Sequence, residues 1–582
     1  MSSTPAGSGA PAVSLLWPEV APGGAPQRPV ARLDPAALQD LGIADLVHGT
    51  PGRHTATITS ILAAPPMDVE TIAFRHEVTA DLLAAPSLVA ELKALLPRLV
   101  DLGRLNAPEW RDQTPLHQVI WRLGQLELLV DCVHALAEAL GRDGVQLRSR
   151  GLTSLCDHIG ALAGDASFVR LEEELPRLRA EAERISSVTI GVNLDHLLRP
   201  VGATILSINA TRFAGESLLA RLLGRQDPER GIGPLHTVPD RVPGLTDRPQ
   251  PLLHPLFRDL SDILSSTARS IADSLGQYSR LEGGFLADLE PELAFYLSGV
   301  RLVEQLRAAG LPTCRPELAP VGERLTHIEG LYNPLLALRC LEGASQHDGC
   351  AEEIVPNDVA LDSSARIAIL TGPNRGGKTT YTQAVGLAHV MAQSGWPVAA
   401  TSAALSPVDA IYTHFPVAER LDLEAGRLGE EAGRLAAIFQ RATRHSLVLL
   451  NESLASTSPG ESLYLARDVV RALRLLGARA IYATHLHELA ANLDAINAEV
   501  PGDSPVVSMV ARAEAVPADE GDGVRPTFRI TPGPPLGTSY ARQIASYYGI
   551  SYDKLAAALS HRQGEGESEE IGRDRSTRQD TS

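Results

Sequence analysis

Leu370-Thr371-Gly372-Pro373-Asn374-Arg375-Gly376-Gly377-Lys378-Thr379-Thr380 is the stretch from which the fold is read. It fits the phosphate-binding pattern G-x-x-x-x-G-K-[ST], opened by Gly372 and closed by Gly377, Lys378 and Thr379. The flanks are those the motif needs. Arg366 to Leu370 is a short apolar run of strand character, and Tyr381 to Ser394 reads as a helix. Glycines let the backbone curl so that its N–H groups face phosphate oxygens, and the helix N-terminus adds the positive end of its dipole. Lys378 is then expected at the β- and γ-phosphates and Thr379 at Mg²⁺. Lysine is otherwise nearly absent: Lys93, Lys378 and Lys554 are the only ones among 52 lysines and arginines. A Gly-rich strand-to-helix turn that binds nothing is the plainer alternative, and the motifs downstream argue against it.

Downstream, Ser446 to Leu450 is an apolar strand ending in Asn451-Glu452. P-loop ATPases carry an acidic pair at this place, the first ordering Mg²⁺ and the second in many members positioning the attacking water. Asn451 accepts a hydrogen bond but brings no charge, so weaker Mg²⁺ binding is expected. Glu452 is left as general base or water-orienting group. The next strand ends in Ala483-Thr484-His485, and a histidine at a strand's carboxyl edge in this sheet is placed to sense the terminal phosphate. The P-loop unit, a segment Leu421 to Thr443, the strand at 446, a helix Glu461 to Leu476 and a strand Ala480 to Ala483 alternate as in a parallel α/β sheet.

Upstream the signal is helical. Val119, Leu123, Leu126, Val130, Val133, Leu136 and Leu140 recur every three or four positions, and Leu260, Leu264, Ile271, Leu275 and Tyr278 form a second stripe. A third helix is expected from Phe285 to Ala309. Between them Ser187 to Gln250 breaks the pattern, and from His196 it carries Arg199, Arg212, Arg221, Arg225, Arg230, Arg241 and Arg248. The net charge of −18 argues against a protein that coats nucleic acid indiscriminately, yet leaves room for this local island as a DNA contact. A merely solvated arginine-rich loop is the competing reading, since Phe213 is its only aromatic residue. No apolar run reaches membrane-spanning length and no basic-then-apolar leader is seen, so a cytoplasmic, membrane-free protein is expected. The five cysteines are scattered and never in C-x-x-C spacing, which reads as free thiols.

Four stretches in this order resemble the MutS-type DNA mismatch-repair ATPases: Ile354 to Asp362 (IVPNDVALD), TGPNRGGKTT, Ser446 to Ala466 (SLVLLNESLASTSPGESLYLA) and Tyr482 to Leu489 (YATHLHEL). Gly537 to Ile550 (GTSYARQIASYYGI) is a weaker fifth. The resemblance covers the ATPase portion most firmly, and residues from Asp68 to Leu338 look like the family's core and lever helices. It implies a mixed fold, a mainly α long-helix core and lever domain followed by an α/β P-loop NTPase domain of ABC-like type. The expected domains are a disordered segment 1–45, a helical domain 46–345 with a clamp-like insertion near 187–250, an ATPase domain 346–560 ending in dimerisation helices, and a disordered tail 561–582. Carried over by motif, Gly372, Pro373, Asn374, Arg375, Gly376, Gly377, Lys378, Thr379 and Thr380 bind ATP, and Thr379 with Asn451 holds Mg²⁺. Lys378, Glu452 and His485 carry catalysis, Arg212, Arg221 and Arg225 contact DNA, and Glu431 falls in a segment reaching across a dimer.

The implied protein is a homodimer with composite ATP sites that couples Mg²⁺-dependent, DNA-dependent ATP hydrolysis to a clamp on double-stranded or branched DNA, in mismatch repair or a related repair or recombination role. The departures are Asn451 for an aspartate, Ile354 where an aromatic residue often stacks on adenine, Arg375 where methionine is common, and no recognisable trans-signature serine in Ala425 to Gly429. A mismatch-reading N-terminal domain and an Smr domain are not expected. The alternative is a nucleotide-binding switch or scaffold with negligible turnover. An ABC or SMC-type ATPase is disfavoured because no LSGGQ-like segment precedes Ser446.

Overall fold

Four stretches, Ile367–Thr371, Ala410–His414, Leu447–Asn451 and Arg479–Ala483, are buried at every position, as parallel strands are when both faces are covered. They form the middle of a sheet in a computed structural model of the chain. The structure describes residues 13–19, 29–105, 115–142, 146–183, 187–197, 200–209, 275, 278, 284–343, 350–416, 426–454, 456–515, 524–535, 549–557 and 559–560. In chain order its strands are β1 (Arg32–Leu33), β2 (Ser187–Leu194), β3 (Pro200–Asn209), β4 (Glu317–Leu318), β5 (Thr326–Leu331), β6 (Asn357–Leu361), β7 (Ile367–Thr371), β8 (Ser402–Leu405), β9 (Ala410–His414), β10 (Leu447–Asn451), β11 (Arg479–Ala483), β12 (Val506–Ala515) and β13 (Val524–Pro532).

The chain divides into two compact units, one of Met1–Ala85, Arg148–Gly151 and Pro291–Ser582, the other of Pro86–Leu147 and Leu152–Glu290. In the first, a seven-stranded sheet runs in the order β1-β9-β10-β11-β7-β12-β13. All its neighbours are parallel except β12 and β13, which form an antiparallel hairpin. One face packs Ile367, Ile369, Val448, Leu450, Ala480 and Tyr482 under the helices Gly426–Arg441 and Pro459–Leu476 through Leu435, Ile438, Ala466, Val470 and Leu473. The helix Lys378–Ser394 packs beside β10 and is buried along most of its length. A second sheet, β4-β8-β5-β6, is tied to the start of β11 by Arg479. The two terminal nitrogens of its buried guanidinium donate to the carbonyls of Leu325, Ser406 and Pro407 at 2.8, 2.8 and 3.1 Å, so carbonyl dipoles offset part of the cost of burying the cation, and burial pushes it down to about 9.

The second unit holds the helices Pro86–Leu105, Pro115–Gly141 and Ala166–Glu183, most of Arg150–Ala163, and the hairpin β2–β3. The stripe Val119, Leu123, Leu126, Val130, Val133, Leu136 and Leu140 is buried throughout. Of the second stripe, Leu275 and Tyr278 are described and buried. Tyr278 donates its hydroxyl to Glu174 at 2.8 Å and accepts from Arg122 on its carbonyl at 2.9 Å. Leu260, Leu264 and Ile271 lie outside the described residues, as do Arg199, Arg212, Arg221, Arg225, Arg230, Arg241 and Arg248. The helix expected from Phe285 to Ala309 is present as Gly284–Ala308.

The expectation of disorder over 1–45 is corrected. Residues 13–19 and 29–45 are ordered, because β1 extends the main sheet by pairing Arg32 and Leu33 with Ala410 and Ile411. Asp34 caps the helix Pro35–Asp40 by accepting from Ala36 N, and Thr413 Oγ1 donates to Asp40 at 2.6 Å. Leu15 and Leu16 are buried. The division into units also departs from the expected boundary at 345/346, since residues 1–85 and 291–345 group with the sheet. Of the expected dimerisation segment, only 549–557 and 559–560 are described.

Candidate functional site

The site is built where three neighbouring strands, β7, β10 and β11, end on the same edge of the sheet. Ligands of open α/β sheets bind outside such carboxyl ends. β7 runs into the P-loop, and the helix Lys378–Ser394 starts behind Gly377 with no side-chain cap, so its first N–H groups are left to a ligand. Gly377 has φ +88 and Gly372 φ +141. A Cβ on Gly372 would lie 2.7 Å from the Ala511 side chain, so neither the conformation nor the space there admits another residue.

Lys378 folds into its own loop. Nζ donates to Gly372 O at 3.0 Å and Pro373 O at 3.1 Å and lies 3.5 Å from Glu452 Oε1. Burial lowers its pKa and the Glu452 carboxylate opposes that shift. Thr379 Oγ1 donates to Asn451 Oδ1 at 3.1 Å, which brings together the two side chains expected at Mg²⁺. These are neutral oxygen donors of the kind Mg²⁺ accepts when phosphate and water supply its other positions. They fit such an ion and bring no negative charge of their own. Among the described residues no group of three His, Cys, Asp or Glu side chains forms a metal cage.

Glu452 follows β10 with φ +48, and Leu454 has φ +65. Left-handed backbone costs a non-glycine residue roughly 1–2 kcal/mol, and it persists where the surroundings fix it. Here Glu452 N donates to Ala483 O at 2.8 Å, and His485 Nε2 lies 2.9 Å from Glu452 Oε1. Thr484 N donates to Leu370 O at 2.9 Å, which holds the end of β11 against the root of the P-loop.

These groups open on a cavity of about 600 Å³ lined by Asn374, Arg375, Gly376, Gly377, Lys378, Thr379, Thr380, Asn451, Glu452 and His485. Gly372 and Pro373 do not line it and contribute carbonyls to Lys378 instead. Its other walls combine the apolar Leu331, Tyr332, Leu336, Ile354 and Val355 with the polar Asn333, Glu353 and Asn357. Phe528 of β13, at φ +56 and 44% exposed, completes the lining and lies beside the phosphate loop, where a Cβ on Gly377 would come within 3.4 Å of its ring. Asn357 holds it there, donating to Phe528 O at 3.0 Å and accepting from Ile530 N at 2.6 Å. Sequence reasoning missed Phe528, which belongs to no phosphate motif. The alternating VRPTFRITP run is the signal that would have located its strand. Glu431 lies on the helix Gly426–Arg441 and is not part of the cavity lining, and Ala425 lies outside the described residues. Arg212, Arg221 and Arg225 likewise lie outside the described residues.

Two family models match the chain: the MutS2 N-terminal domain over residues 67–309 and MutS domain V over residues 368–525. The relatives include Endonuclease MutS2 of Thermus thermophilus, 26% identical over 85% of this chain and 61% of its own length. DNA mismatch repair protein MutS of Symbiobacterium thermophilum is 27% identical over 74% of this chain and 49% of its own length. Endonuclease MutS2 of Thermomicrobium roseum is 32% identical over 56% and 38%. The chain thus spans less than two thirds of each of these relatives.

Proposed function

Starting from a chain that belongs to the MutS family, we propose that it is a DNA-binding ATPase whose nucleotide state opens and closes a dimeric clamp on double-stranded or branched DNA. The role served is mismatch repair or a related repair or recombination process. The observation that supports this most is the convergence of Lys378, Thr379, Asn451, Glu452 and His485 on one cavity at the ends of β7, β10 and β11. In this reading the uncapped helix N-terminus and Lys378 bind the phosphates of ATP, and the apolar wall with Ile354 and Phe528 takes the base. Thr379 and Asn451 would hold Mg²⁺, which when bound neutralises phosphate charge. Glu452 accepts a hydrogen bond from the attacking water and His485 holds the carboxylate in place. Leaving its loop carbonyls for the phosphates, Lys378 would release its hold on Glu452. The active unit is a homodimer, with Glu431's helix contributing to the partner's site.

Purified protein should hydrolyse ATP in the presence of Mg²⁺, faster with DNA, and Lys378→Ala should reduce turnover to background. Turnover no higher in the wild type than in that variant would remove the enzyme. Neutralising Arg221 and Arg225 should weaken DNA binding and flatten its salt dependence, because each lost phosphate contact removes about one unit of the salt slope. Unchanged binding would put the DNA contact elsewhere.

Asn451 supports a second reading, a nucleotide-binding switch or scaffold with negligible turnover, because the metal-facing pair is uncharged. Asn451→Asp separates the two. A large rise in hydrolysis favours the switch, and an unchanged rate favours the ATPase.

A further inference from the structure

Outside the cavity lining, one buried cluster faces the turn that carries Glu452. His414 is the last residue of β9 and sits in register with Leu450 of β10, one residue before Asn451. It is 2% exposed, and its Nδ1 lies 2.7 Å from Ser453 Oγ. Ser453 Oγ in turn donates to His414 O at 3.2 Å. The two contacts are satisfied together when Nδ1 carries the imidazole proton and donates it to Oγ. Burial, and the charge of Arg434 on the neighbouring helix that also presents Glu431, push His414 down to about 4, so the ring is neutral at ordinary pH. From the other side, Tyr482 of β11 donates its hydroxyl to Ser453 O at 2.9 Å. Ser462 Oγ of the helix Pro459–Leu476 donates to Leu454 O at 2.7 Å.

Ser453 thus has its hydroxyl and its carbonyl both held, and it sits between the two left-handed residues Glu452 and Leu454. Strained backbone of this kind relaxes unless side chains over-determine it. We infer that His414 is a positioning residue for Glu452, acting through Ser453. With Tyr482 it braces the Glu452–Leu454 turn in the conformation that keeps the carboxylate 2.9 Å from His485 and 3.5 Å from Lys378. A buried histidine that only fills space would leave the turn indifferent to its hydrogen bond. The kinetic consequence rests on the ATPase reading above; the structural one does not.

The test compares His414→Leu, His414→Asn and Tyr482→Phe. His414→Leu should lower kcat for ATP about 10- to 100-fold, since misplacing a reacting group by about 1 Å costs up to about 10²-fold. KM and the affinity for a non-hydrolysable ATP analogue should stay within about twofold, since an interaction used only in the transition state affects kcat alone. His414→Asn places an amide N–H near the Nδ1 position and should restore most of the rate. In a Glu452→Gln background, His414→Leu should cause no further loss, because the effect runs through that carboxylate. Hydrogen exchange of the peptide spanning Asn451 to Leu454, whose Glu452 amide is bonded to Ala483 O, should accelerate in His414→Leu and Tyr482→Phe while the rest of the sheet is unchanged. Unchanged exchange, a full further loss in the Glu452→Gln background, or an equal loss of nucleotide affinity would overturn the brace. If the wild type hydrolyses no ATP, the ATPase reading falls, and the exchange experiment still decides the role of His414.

Discussion

Glu452 brings one carboxylate oxygen to two nitrogens, Lys378 Nζ at 3.5 Å and His485 Nε2 at 2.9 Å, and neither contact survives in Glu452→Gln with its charge. That variant should bind ATP with near-normal affinity and lose roughly 10²- to 10⁴-fold in turnover, the usual contribution of a general base. A filter-binding assay beside a phosphate-release assay checks it. At this scale the sequence was informative wherever a functional side chain closes an apolar strand. Lys378, Thr379, Asn451, Glu452 and His485 each come after such a run, and the structure brings them to one edge. His414 also ends a strand, but nothing local says that β9 lies next to β10, so its contact with Ser453 could not be read. Phe528 reaches the cavity only because β13 folds back on β12 and is fastened by Asn357, 171 residues earlier in the chain.

Among the elements, the helix Lys378–Ser394 is anchored by the residues just past its C-terminus. Trp396 is fully buried against Phe295, with ring centroids 5.1 Å apart, and it fills the space beside Gly299. Trp396→Ala should cost about 3–5 kcal/mol, the usual loss for an emptied aromatic site, as read from urea unfolding. The same core holds histidines that must stay neutral. His76 donates from Nε2 to Ala392 O at 2.7 Å and burial lowers it to about 4, as it does His414, while burial and Arg479 drive His389 well below its ordinary 6.5. A folded pKa below the unfolded one means that the unfolded chain takes up protons first. Stability is therefore full above pH 6.5 and falls as pH drops from there toward 4. Each of His76 and His414 contributes roughly 3 kcal/mol over that window. Urea midpoints measured between these pH values should decline steeply, and less steeply in His76→Asn.

For the molecule as a whole, the N-terminal residues are a structural part of the first unit. Ser14 Oγ and Leu15 N both donate to Glu292 at 2.6 Å, and Tyr296 donates to Leu15 O at 2.6 Å. Arg75 donates to Leu16 O at 3.0 Å and lies over the Trp17 ring at 4.9 Å. Removing residues 1–19 should destabilise this unit by roughly 3 kcal/mol or more, since two buried leucines alone are worth about 1.5–3 kcal/mol each. Thermal unfolding of the truncated protein checks it, and an unchanged midpoint would show that the segment adds nothing. Pro- and Gly-rich flanks hid this contact, because a strand of two residues and a four-residue apolar patch have no period to detect. By itself the sequence determined the helical half, the alternating α/β half, the phosphate loop and the strand-end residues, since these depend on local periodicity and on backbone chemistry within a few residues. Only the tertiary structure decided which strands adjoin, that Arg32 and Leu33 form the outer strand of the main sheet, and which side chains hold Glu452 and Phe528 at the cavity. Those depend on long-range pairing, where the partner is fixed by burial and register rather than by neighbours in the chain.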